Sequence, residues 1–152
     1  MKIRTTSLPG VKVVEPEPTH DHRGSFVRIL SADAFAEAGI DAATFVQENQ
    51  SRSARRVLRG LHLRAPVGET KVVRCSSGKI FDVVVDLRPR SAAFGCWESF
   101  ILDDRQHLGL VIPPGCGHGF QCLSEIADVC YRHDHFYDAS QEAAVVWDYP
   151  QL

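Results

Sequence analysis

The stretch Lys79-Ile80-Phe81-Asp82-Val83-Val84-Val85-Asp86-Leu87 decides the fold class. Alternate residues of an extended chain point to opposite faces, so Phe81, Val83, Val85 and Leu87 share one face and Ile80, Asp82, Val84 and Asp86 the other. An apolar, β-branched run bounded by Ser76-Ser77-Gly78 and Pro89-Arg90-Ser91 reads as a strand. A face mixing apolar groups with two carboxylates is not a plain core face. It either lines a polar cavity or is solvated.

The same period of two recurs outward from this strand, over 11–14, 25–30, 44–49, 57–63, 71–75, 97–102, 107–112, 117–123, 128–137 and 143–147. Turn signals at Pro16-Glu17-Pro18, Asp103-Asp104 and Pro113-Pro114-Gly115 separate the runs. One helix is predicted, Ala32 to Ala38, with Ser31 as N-cap and Gly39 as its stop. No repeat, linker or low-complexity tract interrupts the chain, so 1–152 reads as a single all-β domain, and a double-sheet jelly roll fits the strand count. A length of 152 residues suits one domain that buries roughly 70% of its unfolded surface.

With 44% hydrophobic and 24% charged residues and a formal charge of −2, there is no global positive field for nucleic acid or an anionic membrane. Met1–Gly10 lacks the apolar region of a signal peptide, and no uncharged run approaches the ~18 residues of a membrane span. The cysteines Cys75, Cys96, Cys116, Cys122 and Cys130 form no C-x-x-C pair and read as thiols of a reducing compartment, so a cytoplasmic location is expected.

The densest chemistry lies in Val57-Leu58-Arg59-Gly60-Leu61-His62-Leu63-Arg64. Strict alternation puts Arg59, Leu61 and Leu63 on one face and Leu58, Gly60, His62 and Arg64 on the other. Gly60 leaves room above the backbone that a substrate can use. Taken alone, the fragment is satisfied by a hydrogen-bonded histidine in a strand.

The order of several further pieces adds to this. They are Asp21-His22-Arg23-Gly24-Ser25-Phe26, Gln47-Glu48-Asn49-Gln50-Ser51, Lys71-Val72-Val73, Gly78 to Arg88, and Ser91-Ala92-Ala93-Phe94-Gly95. Ile112-Pro113-Pro114-Gly115-Cys116-Gly117-His118-Gly119-Phe120 follows, then Tyr131 with Tyr137, and Glu142 ahead of Trp147-Asp148. The set resembles the dTDP-4-dehydrorhamnose 3,5-epimerase family, over about residues 20–148. The resemblance implies a cupin-type jelly roll, a nucleoside-diphosphate 4-keto-6-deoxyhexose substrate, no cofactor and a homodimer with strands exchanged or paired across its interface.

The family's reaction exchanges protons at carbons next to a C4 ketone. The resemblance makes His62 the base, a role suited to an imidazole of ordinary pKa about 6.5. It makes Lys71 the cation at the developing enolate oxygen and Tyr131 the acid on the opposite sugar face. Arg23 and Arg59 are expected at the diphosphate, Gln47 and Asn49 as amide partners, and Phe26 and Phe120 against base or sugar. His118, Tyr137 and Glu142 complete the substrate-binding set.

Two departures qualify these expectations. The resemblance implies a longer chain with an aspartate past the point matching Leu152 that supports the catalytic histidine, so Asp82, Asp86 or water is expected to stand in, with slower exchange that favours one carbon. Arg28 stands where many relatives have an acidic or other polar residue. A cupin metal pattern is partly present in His62, Glu69 and His118, which keeps a metal-dependent oxygenase as an alternative beside a non-catalytic sugar-nucleotide-binding cupin. Arg64 occupies the remaining ligand position, so no metal is expected there. The pairs His20/His22 and His133/His135 read as exposed strand ends.

Overall fold

The computed structural model describes residues 1–150; the end of the expected span, 151–152, lies outside the described residues. In chain order the strands are β1 (Lys2–Thr5), β2 (Lys12–Glu15), β3 (Thr19–Asp21), β4 (Gly24–Phe26), β5 (Gln47–Ala54), β6 (Leu58–Arg64) and β7 (Lys71–Ser77). They continue as β8 (Lys79–Asp86), β9 (Trp97–Asp103), β10 (Gly109–Ile112), β11 (Cys116–Cys122), β12 (Ile126–His133) and β13 (Glu142–Ala144). A six-stranded sheet runs β1-β2-β10-β7-β12-β5 and faces a five-stranded sheet, β13-β6-β11-β8-β9, while β3 and β4 form a separate hairpin. This is the mostly-β, two-sheet cupin-like fold that the resemblance implies.

Core residues come from the inward row of each strand. Val73 and Cys75 of β7, Leu110 and Ile112 of β10 and Val129 of β12 meet Ile80 and Val84 of β8, Leu102 of β9 and Phe120 and Cys122 of β11. On β8 the face carrying the carboxylates is the buried one: Ile80, Asp82, Val84 and Asp86 have no exposed surface. Asp86 is answered by Arg88, whose Nε and Nη2 donate to its two oxygens at 2.9 and 2.6 Å, and by Ser91 Oγ at 2.6 Å. These donors hold its carboxyl down to about 2.

The helix α1 (Ala32–Glu37) forms where predicted, yet Ser31 makes no side-chain cap bond to it and turns to Asp33 instead. Its Phe35 is fully buried against Val14 and Val111, and Leu30 packs on the same cluster. That explains one departure from the sequence reading. Leu30 is apolar because it packs on the helix cluster, not because it extends the 25–30 strand, which ends at Phe26. Similarly 42–44 is a 3-10 turn capped by Asp41, whose carboxylate accepts from Ala43 N at 2.9 Å. The run 107–112 forms β10 from Gly109, and 143–147 is strand only to Ala144. Strand β12 stops at His133, and Tyr137 N donates to the Gln47 side chain at 2.9 Å rather than to a strand. Strands β1 and β3 have no counterpart in the sequence reading. Among the described residues no helix is long and apolar enough to cross a membrane.

A larger correction concerns β6. Its pairing with β11 shifts between Phe120↔Arg59 and His118↔His62, so one residue is taken out of the alternation. Arg59 therefore shares the inner face with His62, contrary to the strict period of two. Nor does Gly60 leave room for substrate: a Cβ there would stand 2.5 Å from Gly119 Cα and 2.8 Å from the His118 carbonyl. The strands touch backbone to backbone, and Gly60 has φ +120°, a region that strains other residues. Gly60→Ala is expected to lower stability by at least about 2 kcal/mol in urea titration. Gly24→Ala is the control: φ there is +129° with nothing within 4 Å of the added carbon, so it carries strain without collision. Equal losses in the two variants would contradict the close approach as the constraint.

Candidate active site

A cavity of about 380 Å³ opens between the two sheets at the end of the sandwich where the apolar core gives way to polar side chains. The six-stranded sheet supplies two cross-strand rows to it. Gln47, His133 and Lys71 are aligned across β5, β12 and β7, and Asn49, Tyr131 and Val73 form the next row. From the five-stranded sheet, His62 is paired with His118 and with Ala144, while Arg59 is paired with Phe120 and Phe120 with Asp82. Glu142 pairs with Arg64 at the β13 edge.

Ten of the expected site residues line this one cavity: Gln47, Asn49, Arg59, His62, Lys71, His118, Phe120, Tyr131, Tyr137 and Glu142. Arg23 and Phe26 do not. They lie on the β3–β4 hairpin, where Phe26 is 74% exposed and Arg23 pairs with Asp21 at 2.6 Å.

Burial gives the cavity floor its electrostatics. Lys71 continues the inward row of Val73 and Cys75, so its ammonium is almost fully enclosed. Burial pulls its pKa down, and the carboxylates of Glu69 and Asp82 oppose that pull. Asp82 is wholly buried, which pushes its carboxyl up against the attraction of His118 and Lys71. Its Oδ2 lies 2.8 Å from His118 Nε2, and its Oδ1 has no partner among the described residues. Tyr131 is pushed up to about 12 by burial, with the hydrogen bond to Ser51 at 3.1 Å acting the other way. Its ring meets His118 edge-on at 6.3 Å.

Neither carboxylate expected to support His62 does so. Asp82 is engaged by the neighbouring His118, and Asp86 by Arg88 and Ser91. Among the described residues the His62 side chain has no hydrogen-bond partner, and the ring is exposed to the cavity.

Nearer the mouth, Arg59 Nε donates to Ser53 Oγ at 2.9 Å and Tyr137 Oη to Glu142 at 3.2 Å, which raises the Tyr137 hydroxyl. Gln47 Nε2 donates to Asn49 Oδ1 at 3.1 Å, so the two amides are mutually oriented. Arg64 turns to Gln141 Oε1 and the Phe136 carbonyl, at 2.8 and 2.7 Å.

The sequence reading named Glu69 only as part of a metal pattern, not as a partner of Lys71, and misplaced His133 and His135. Both histidines line the cavity: His133 Nδ1 lies 3.2 Å from Glu69 and His135 Nδ1 2.7 Å from Asp134. The facing of Lys71 and His133 follows from strand register, which no spacing within either strand announces. Among the described residues no three His, Cys, Asp or Glu side chains are grouped to hold a metal ion.

Comparison with known proteins identifies the family. Residues 5–152 match the family model of dTDP-4-dehydrorhamnose 3,5-epimerase. A dTDP-4-dehydrorhamnose 3,5-epimerase of Pseudomonas aeruginosa is 41% identical over 152 residues, covering all of this chain and 84% of the relative. A dTDP-4-dehydrorhamnose 3-epimerase of Streptomyces niveus is 40% identical over 95% of this chain and 70% of its own length. The crystal structure of a dTDP-6-deoxy-D-glucose-3,5-epimerase from Legionella pneumophila in complex with dTDP-4-keto-L-rhamnose superposes with a TM-score of 0.93 at 37% identity, over 99% of this chain and 80% of that one. Fold and sequence agree, and the chain belongs to the dTDP-4-dehydrorhamnose 3,5-epimerase family of sugar-nucleotide epimerases.

Proposed function

We propose that the protein epimerises a dTDP-linked 4-keto-6-deoxyhexose at the carbons next to the ketone, with His62 as base, Lys71 at the enolate oxygen and Tyr131 as acid. The observation that carries this reading is that His62 and Tyr131 stand on opposing sheets across one cavity. A sugar lying between the sheets has a base on one face and an acid on the other, which inversion requires.

His62 takes the proton from C3 or C5, the C–H electron pair becomes the enolate C=C bond, and negative charge passes to the C4 oxygen. The buried Lys71 ammonium offsets that charge where water is largely excluded and electrostatic stabilisation is strong. Tyr131 then gives its hydroxyl proton to carbon from the other face. Burial that pushes this phenol to about 12 keeps it protonated, and hence a donor, at neutral pH. Imidazolium and tyrosinate return to their starting forms by exchange with water. Arg59 serves the diphosphate, Gln47 and Asn49 the nucleotide base, and His118, Phe120, Tyr137 and Glu142 the sugar and the cavity mouth. No step calls for a metal, since Glu69 is engaged by Lys71 and His133, and Arg64 brings positive charge to the partial cupin ligand set. The thiols, four of the five buried and none in a disulfide, suit a cytoplasmic enzyme.

One base serves both carbons, and its ring lacks a carboxylate partner among the described residues, so exchange at C3 and C5 is sequential. In D2O with dTDP-4-keto-6-deoxyglucose, proton NMR is expected to show deuterium at one of these carbons before the other. His62→Ala is expected to slow exchange at both by at least about 100-fold while nucleotide binding persists. Wild-type exchange in that variant would remove His62 from the role, and binding without exchange in the unaltered protein would make it a binding module.

Arg23 and Phe26 reach a cavity in this reading through homodimerisation, the hairpin of one copy serving its partner. The exposure of Phe26 and the separation of the hairpin from both sheets support this. The test mixes His62→Ala with Arg23→Ala after joint unfolding and refolding. A mixed dimer pairs an intact His62 with a partner's intact Arg23, so activity is expected to reappear on mixing. No recovery, or a monomer by light scattering, would overturn the dimeric site.

A further inference from the structure

The mechanism above uses Lys71 but leaves Glu69 and His133 without a task, although both are enclosed in the same wall. Side-chain exposure is 7% for Lys71, 14% for Glu69 and 15% for His133. One Glu69 oxygen lies 3.6 Å from Lys71 Nζ and the other 3.2 Å from His133 Nδ1, so a single carboxylate spans the ammonium and the imidazole. Backbone pairing fixes the trio. His133 is the register partner of Lys71, Asp134 N donates to the Thr70 carbonyl at 3.2 Å, and the Asp134 carboxylate accepts from Thr70 N at 2.9 Å. The His133 ring also stacks on Tyr131, with centroids 6.2 Å apart and planes at 23°.

We propose that Glu69 is a positioning residue, anchored by His133, that holds the Lys71 ammonium at the place where the enolate oxygen forms. The inference rests on the reaction proposed above and names the device that keeps its cation in place. A lysine in so enclosed a site loses its proton readily, because burial disfavours the charged form. The groups acting on it are Glu69 ahead of its own strand, Asp82 on β8 and Cys116 on β11. Asp82 is shared with His118, so Glu69 is the nearer counter-charge. Glu69 is in turn held ionised: burial would raise its carboxyl, but the His133 hydrogen bond and the charges of Lys71, His133 and Arg64 bring it below the ordinary range.

Glu69→Gln keeps the shape and removes the charge. Losing a carboxylate at this distance should drop the Lys71 titration by roughly 1–3 pH units. The alkaline limb of the kcat profile should move down by a similar amount, with KM changed less than about twofold, because only the transition state carries the enolate charge. A role confined to packing would lower stability or kcat without moving that limb.

The direct readout needs no turnover. Lysines are 13C-methylated reductively, the Lys71 signal is identified by its loss in Lys71→Arg, and its titration is followed by NMR in wild type and Glu69→Gln. A lower midpoint in the variant is expected, and an unchanged midpoint overturns the inference even if the enzyme epimerises. Should wild type fail to epimerise while the midpoint still falls, the reaction assignment is wrong and the Lys71–Glu69 coupling stands. If Glu69→Gln does not fold, His133→Phe keeps a ring against Tyr131 and removes the anchor. It should lower the same midpoint by a smaller amount, and no change there overturns the inference equally.

Discussion

The backbone contact between Gly60 and Gly119 is the constraint on which the rest of the site depends. Because neither residue carries a side chain, β6 and β11 approach until a single added carbon would collide at 2.5 Å. The register shift at that contact turns Arg59 and His62, three positions apart, onto one inner face and sets His62 beside His118. An unbroken alternation would send the arginine to the outer surface. Arg59, His62 and the carboxylate-backed His118 are thus brought to one wall by backbone geometry.

Charge organises the floor between the two walls. Enclosing an ammonium or a carboxylate is costly unless each has a partner. Lys71, Asp82 and Glu69 are all enclosed, and they offset one another with help from His118 and His133. The result is a floor that is locally charged within a chain whose formal charge is only −2. In the proposed reaction a bound keto-sugar meets a fixed cation, with no reorganisation of water needed as charge develops on its oxygen. Tyr131 stands in the same row system, its proton held firmly by burial.

Most of the fold was legible because a period of two survives wherever one strand face packs and the other does not. The 79–87 run showed this best, and its mixed apolar and acidic face proved to be the inner one, with Asp82 under His118 and Asp86 under Arg88. Legibility failed where an apolar residue serves something other than a sheet, as at Leu30 beside the helix. It failed also at Gly60, where a shift within the ladder reversed the facing of Arg59. The candidate site followed the same rule. His62, Lys71 and Tyr131 were named from their ordered wording, whereas the facing of His133 and Glu69 depends on how β7 and β12 are registered, a long-range fact that neither segment contains. Asp82 was expected beside His62 and lies instead beside its strand neighbour, because diagonal reach across β8 and β11 is invisible in either strand alone.

The central claim is that proton removal and proton return occur from opposite walls of one cavity. Tyr131→Phe separates the two steps. With dTDP-4-keto-6-deoxyglucose in D2O, the variant should still exchange the substrate's α-proton, because His62 can return deuterium to the face it deprotonated, while formation of the inverted sugar falls by at least about 100-fold. Inversion at the wild-type rate, or exchange and inversion lost together in a variant that still binds nucleotide, would contradict the two-walled account.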